Sequence, residues 1–221
     1  MREHTDEIVL TEGVRDGWAD PETDPAKIDW TARLLAAAIP FKVVNGRPVN
    51  PCEKDLPVQR GRNGLGRWSE NLTADALVSV RDEFGDRWVV LVERNRGRGW
   101  GLPGGFLNPG ETPVEAAWRE FLEEADADLR YAPWWPTKPR YVRNKRASAE
   151  AWMVTVMCTA DLGTLRRNAF PKVAGKDDVL QAAWIRANTM EELVADLKKR
   201  FGGEVTSPNH VGMLTDWFEQ N

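Results

Sequence analysis

The sequence predicts an α+β domain, on three observations. Apolar runs of strand length, Ala76–Arg81, Trp88–Glu93, Ala151–Ala160 and Val179–Ile185, stand on either side of one segment with helical periodicity. That segment, from about 113 to 125, carries its own start signals. Two further helical stretches, Thr189–Arg200 and Pro208–Glu219, close the chain.

Each element has a local reason. Asp82-Glu83-Phe84-Gly85-Asp86 splits the first two runs and reads as a hairpin turn. Trp100–Leu102 leads into a glycine loop, Pro103-Gly104-Gly105, and Asn108-Pro109-Gly110 marks a second turn. Thr112 suits an N-cap, Pro113 the first helical position, and Glu115 completes a capping box. Val114, Ala117, Trp118, Phe121, Leu122 and Ala125 then recur at helical spacing as a buried stripe. AWMVTVMCTA, residues 151–160, has few polar interruptions and reads as a central strand. The helix from Thr189 takes Asn188 or Thr189 as its cap and stops before Gly202-Gly203.

Residues 1–70 differ in texture. They hold a short helical stretch at 30–38 and turn-rich strings at 17–21, 45–51 and 60–68, with too little periodicity for a large core. We expect an N-terminal extension over 1–70, contributing to a substrate pocket, and a main domain over 71–221.

Composition narrows the function. The chain has 221 residues, 42% apolar and 29% charged, with a net charge of −4. An acidic balance disfavours a nucleic-acid backbone binder, and no run is apolar enough for a membrane span. MREHTDEIVL lacks the apolar core of a signal peptide, and Cys52 and Cys158 lie far apart, so a reducing cytoplasm is expected. Two histidines, His4 and His210, make no zinc site by themselves; His4 reads as a tail residue and His210 as a helix-start residue. Eleven tryptophans are many for this length; most read as packing, and one or two are suited to stack on a flat ring.

The chemistry concentrates between Gly105 and Ala127. Gly105 is followed after five residues by Glu111 and after seven more by Arg119-Glu120-Phe121-Leu122-Glu123-Glu124. Glu120, Glu123 and Glu124 share one helix face, three or four residues apart, where like charges repel. A solvated acidic face gains nothing from that crowding; a hard divalent cation needs such oxygen ligands and keeps room for substrate phosphates. Arg119 and Glu111 are placed to tie loop to helix. Arg94, Arg96 and Arg98 precede the glycine loop, either as phosphate ligands or as a solvated loop.

Through Glu124 the string resembles the signature of the Nudix family at every position; the departures are Asp126 for the box glycine and Ala127 for the last apolar residue. The resemblance implies an α/β/α sandwich around a mixed sheet and metal-assisted hydrolysis of a diphosphate linkage. It implies Mg²⁺ or Mn²⁺ at Glu120, Glu123 and Glu124, with a backbone carbonyl near Gly104. The general base is left open between Glu123 and a loop carboxylate, Asp177 or Asp178. Further strings along 17–187, among them Trp18-Ala19-Asp20-Pro21, Asn45-Gly46-Arg47-Pro48 and Gly64-Leu65-Gly66-Arg67-Trp68, resemble mitochondrial-type ADP-ribose pyrophosphatases. The Nudix-like domain of ADP-ribose-gated cation channels shares them. That closer resemblance implies ADP-ribose as substrate, AMP and ribose 5-phosphate as products, and Arg47, Asn50, Arg67 and Trp152 as substrate-binding residues. Its rivals are a Nudix hydrolase of NADH, a nucleotide sugar or a dinucleoside polyphosphate, and a non-catalytic ADP-ribose-binding module. An RNA-cap hydrolase is disfavoured by the acidic charge.

Overall fold

The computed structural model describes residues 2–95, 97 and 99–220. Arg96 and Arg98, two of the three clustered arginines, lie outside the described residues. In chain order the elements are β1 (Glu3–Thr5), α1 (Glu7–Leu10), α2 (Glu12–Arg15), α3 (Trp30–Ala36), β2 (Lys42–Val44), β3 (Arg47–Val49), β4 (Arg60–Asn63) and β5 (Ser69–Arg81). Then come β6 (Arg87–Arg94), β7 (Trp100–Gly101), β8 (Gly104–Phe106), α4 (Pro113–Ala125), β9 (Trp134–Pro136), β10 (Arg140–Val142), β11 (Ala151–Thr164), β12 (Val179–Arg186), α5 (Met190–Phe201) and α6 (Pro208–Gln220). The class is α+β, as the alternation of strand and helix signals predicts.

The chain divides into two compact units, residues 1–73 with 108–110 and 139–155, and residues 74–107 with 111–138 and 156–221. The N-terminal segment therefore shares its unit with 139–155, a grouping that local sequence signals do not reveal.

In the first unit, β2 and β3 form a hairpin through Asn45-Gly46, both with positive φ, as the tight turn requires. Strand β1 pairs in parallel with β4, and β10 pairs antiparallel with the start of β11. Two small apolar groups form. One gathers Leu56, Leu65, Val142, Ala147, Ala151 and Met153; the other gathers Phe41, Trp152 and Val154. Much of the remaining interior is polar. Arg62 is fully buried, donates to the carbonyls of Asp20 and Gly66 at 2.6 Å, and lies over the Trp68 ring. Asp20 accepts from Arg33 and from the Trp68 amide, each at 2.8 Å.

In the second unit the period-2 rule sorts the strands onto two faces. Ala74, Ala76, Val78, Val90 and Val92 turn to one side and meet Ala116, Ala117, Phe121 and Ala125 of α4. Leu77, Val89 and Leu91 turn to the other and meet Leu193, Leu197, Met213, Leu214 and Trp217 of α5 and α6. Strand β6 runs antiparallel to both β5 and β12. Helix α5 takes Thr189 as its cap, through the Glu192 amide, while the Asn188 side-chain oxygen accepts from the Arg87 amide. Of the tryptophans near turns, Trp68, Trp100 and Trp134 are buried, whereas Trp18 and Trp135 are exposed. Among the described residues no helix is long and apolar enough to cross a membrane.

The β5–β6 turn rests on Asp82. One carboxylate oxygen accepts from the amides of Phe84 and Asp86 at 2.9 and 2.8 Å. The other accepts from Trp88 Nε1 and Arg167 Nε at 2.9 and 2.8 Å. Burial alone would push this carboxyl up, but the four donors together pull it down from 3.8 to about 2. A group depressed on folding stabilises the fold above its unfolded value and loses that contribution as pH falls through the folded one. Asp82→Asn is therefore expected to lower stability at pH 7. It should also flatten the decline from pH about 4 to about 2, read by urea melts across that window.

Candidate functional site

Helix α4 begins as its sequence predicts. Thr112 Oγ1 accepts from the Glu115 amide at 3.3 Å and the Glu115 carboxylate accepts from the Thr112 amide at 2.8 Å. The helix ends at Asp126, which takes the left-handed conformation that a glycine would otherwise supply, with φ 52° and ψ 35°. Its amide donates to Leu122 O at 3.1 Å and its carboxylate pairs with Lys176 at 2.9 Å. The missing box glycine thus leaves the helix-terminating turn intact.

Arg119 is the hub of the exposed side of α4. Its Nε and Nη2 grip Glu111 in a fork at 2.7 and 2.9 Å, and Nη2 also donates to Phe106 O at 3.0 Å. Its Nη1 donates to Glu120 at 2.8 Å and to Glu123 at 2.9 Å. The hydrogen bonds to Glu111 are the largest cause holding this guanidinium even more firmly protonated than usual.

Glu124 is different. It is buried, and its Oε2 accepts from the Gly104 amide at 3.0 Å. Burial pushes its carboxyl up to about 8, against the attraction of Arg94 and the Gly104 amide; Glu120 and Asp178 add to the rise. Burial likewise raises Glu120, with Arg119 opposing and Glu123 and Glu111 adding to the rise. Arg94 donates through Nη2 to the carbonyls of Leu102 and Gly104 at 3.1 and 3.2 Å. A side chain at Gly105 would have to displace the Glu120 carboxylate, whose carbon an added Cβ would meet at 2.7 Å.

These groups suit a hard cation by donor chemistry. They are all oxygens, and two are carboxyls whose charge burial disfavours and a cation would restore. Among the described residues no three carboxylates, histidines or cysteines already converge on a point, since Arg119 draws Glu120 and Glu123 toward itself and Gly104 holds Glu124.

Of the loop carboxylates, Asp178 reaches Glu124 electrostatically, and its carbonyl accepts from Asn95 Nδ2 at 2.5 Å. Asp177 is exposed with φ 56°, in a turn whose Lys176 amide donates to Glu124 O at 3.2 Å.

The other expected residues belong to the first unit. Arg47 pairs with the buried Glu150 at 2.9 Å. Asn50 is buried, and its Oδ1 accepts from the amides of Cys52 and Glu53 at 3.0 and 3.1 Å. Arg67 is half-buried, and its backbone brackets the Asn71 side chain through bonds of 2.8 and 2.9 Å. Trp152 has no exposed surface and packs edge-on to Phe41 at 5.2 Å, so its ring serves the core of that unit.

Arg119→Ala removes a charge-assisted fork and leaves Glu111, Glu120 and Glu123 unopposed. A loss of about 2–3 kcal/mol in folding stability is expected. Arg119→Lys should recover only part of it, because a point charge cannot make the fork. Denaturant melts of both variants check this, and equal stability of Ala, Lys and wild type would refute the hub.

Comparison with known proteins agrees with this geometry. A family model described as the NUDIX domain matches residues 71–203. A Caenorhabditis elegans protein assigned to the Nudix hydrolases as number 6 is 32% identical over 196 residues, 80% of this chain and 74% of its own length. Rat mitochondrial ADP-ribose pyrophosphatase is 36% identical over 128 residues, 49% of this chain and 36% of its own. A Nematostella vectensis cation-channel protein of the transient receptor potential M type is 28% identical over 192 residues, 69% of this chain but 12% of the channel. Among solved structures, a Francisella tularensis bifunctional NMN adenylyltransferase/ADP-ribose pyrophosphatase with AMP and a manganese ion has a TM-score of 0.51. It is 23% identical and covers 69% of this chain and 42% of its own. At that identity the likeness speaks for the fold. The family match covers more than half of the chain and falls on the loop and helix that hold the carboxylates, and so the chain belongs to the Nudix hydrolase family.

Proposed function

We propose that this Nudix hydrolase cleaves the diphosphate linkage of ADP-ribose, releasing AMP and ribose 5-phosphate. The observation that carries the reading is the loop–helix junction. Gly104 holds the buried Glu124, and Arg119 ties Glu111, Glu120 and Glu123 into one carboxylate surface. The rat relative, named as an ADP-ribose pyrophosphatase, favours ADP-ribose over other nucleoside diphosphates.

Glu120, Glu123 and Glu124, with a backbone carbonyl near Gly104, are the residues proposed to hold Mg²⁺ or Mn²⁺. Such a cation would supply positive charge to offset that of the diphosphate and to make a water more acidic. Water adds to one phosphorus, the bridging P–O bond breaks, and the bridging oxygen leaves with the other phosphate. Asp178, whose charge reaches Glu124, is a better placed proton acceptor than Asp177; Glu123, tied to Arg119, is the alternative. Arg67, which makes no ion pair among the described residues, is the guanidinium proposed for a substrate phosphate. Arg47 and Asn50 are proposed to bind the nucleoside or terminal ribose, and Trp152 to support that surface from the core. The N-terminal extension, residues 1–70, is proposed to contribute to the substrate pocket. The two free thiols, Cys52 and Cys158, fit the cytoplasm as compartment.

Purified protein with Mg²⁺ or Mn²⁺ is expected to release AMP mainly from ADP-ribose when NADH, ADP-glucose and diadenosine polyphosphates are tested beside it. Preferred turnover of another substrate would overturn the specificity, and binding of ADP-ribose without turnover would make the chain a sensor. Glu120→Gln should cut kcat by about 100-fold or more at saturating cation. Near-normal turnover of that variant would refute the metal scheme.

A further inference from the structure

Leu102-Pro103-Gly104 turns the chain between β7 and β8, and it is held from several sides within the second unit. Pro103 O accepts from the Ala76 amide at 2.8 Å. Arg94 bonds the carbonyls of Leu102 and Gly104, and the Gly104 amide meets Glu124. The Leu102 amide turns the other way. It donates to Nδ1 of His210, the third residue of α6, at 3.2 Å. Both residues are buried.

Accepting at Nδ1 leaves the ring hydrogen on Nε2, which faces Asp75 Oδ1 at 3.3 Å. Asp75 is the next wall: a Cβ on Gly104 would meet Asp75 Oδ1 at 2.8 Å and its Cα at 2.9 Å. Gly101 has no room for a side chain, because the imidazole fills that space; an added Cβ would come within 2.8 Å of the ring carbon Cε1. The imidazole is thus wedged between the start of the turn and the strand that backs its end. Helix α6 cannot yield easily, since Met213, Leu214 and Trp217 are buried in the core that also contains Leu102.

We infer that His210 is a positioning residue: through the Leu102 amide and Asp75 it fixes the 102–104 turn so that the Gly104 amide holds the Glu124 carboxylate in place. Its relevance to turnover rests on the proposed metal-assisted hydrolysis; the positioning itself does not.

Three variants of the full chain separate the two bonds of the ring. His210→Asn keeps an acceptor where Nδ1 stands, His210→Gln places its polar end where Nε2 stands, and His210→Leu keeps neither. Three readouts are taken: hydrogen exchange of the Leu102 and Gly104 amides without metal, Mn²⁺ affinity by electron paramagnetic resonance, and kcat and KM for ADP-ribose. The Leu and Gln variants are expected to speed Leu102 exchange and weaken Mn²⁺ binding. They should lower kcat by about 10-fold or more with KM within about 3-fold, because a displaced reacting group costs rate more than binding. The Asn variant should restore most of each.

Unchanged exchange and kcat in the Leu variant would overturn the inference. So would equal losses in all three variants that follow their melting temperatures. If the Leu variant fails to fold, the Asn–Gln contrast decides. If the wild type cleaves no diphosphate, the proposed function falls. The positioning role is then judged on Leu102 exchange and Mn²⁺ affinity alone, where Asn resembling wild type supports it and Asn resembling Gln refutes it.

Discussion

Like charges on one helix face are the constraint around which the second unit is built. Two unscreened carboxylates about 5 Å apart repel by about 3 kcal/mol at an effective dielectric of 20. Glu120, Glu123 and Glu124 occupy neighbouring positions on α4, and Glu111 is brought to the same side. Arg119 answers three of the four with a single planar cation, and the fourth, Glu124, is met by a backbone amide and by the field of Arg94. A lysine at 119 would supply the charge but not the directions. The Phe106 carbonyl, on the strand before the helix, completes the guanidinium's partners, so one side chain both offsets repulsion and ties loop to helix.

The first unit solves the opposite problem. Its stretches of regular structure are three or four residues long except for α3 and the strands it shares by sequence with the second unit. Short strands have little room for an alternating apolar face. Charged groups are buried instead, and two of the carboxylates are partnered closely. Glu150 takes Arg47, Arg60 and the Gly61 amide, and Asp20 takes Arg33 and the Trp68 amide. Such pairs add little net stability but penalise any arrangement that separates them.

Legibility follows the range of the interaction. The capping box of α4, the Asn45-Gly46 turn, the Asp82–Asp86 hairpin and the Thr189 cap depend on residues within a few positions of one another, and each stands where the sequence puts it. Arg119 and Glu111 are eight apart, yet the second turn and the capped helix that follows it already place them to pair. His210 and Leu102 are 108 apart and carry no shared local signal; the sequence shows His210 only as a residue near a helix start. The association of 139–155 with the N-terminal segment, and the burial of Trp152, are hidden for the same reason. The poor periodicity of residues 1–70 reflects small apolar groups set in a partly polar interior.

The carboxylate face is unfavourable in its own right, and the rest of the second unit has to offset it. Two apolar cores on opposite faces of the strands do so: Phe121 alone, fully buried, contributes about 1.5–3 kcal/mol. Phe121 lies between Glu120 and Glu123 in sequence, so the helix that carries the repulsion is also pinned by its deepest side chain. Replacing Glu120 by glutamine removes a half-buried charge and relieves its neighbours, and burial already disfavours the charged form of Glu124. Stability and the proposed chemistry therefore pull these positions in opposite directions, as expected where a site is kept for what it binds rather than for what it adds to the fold.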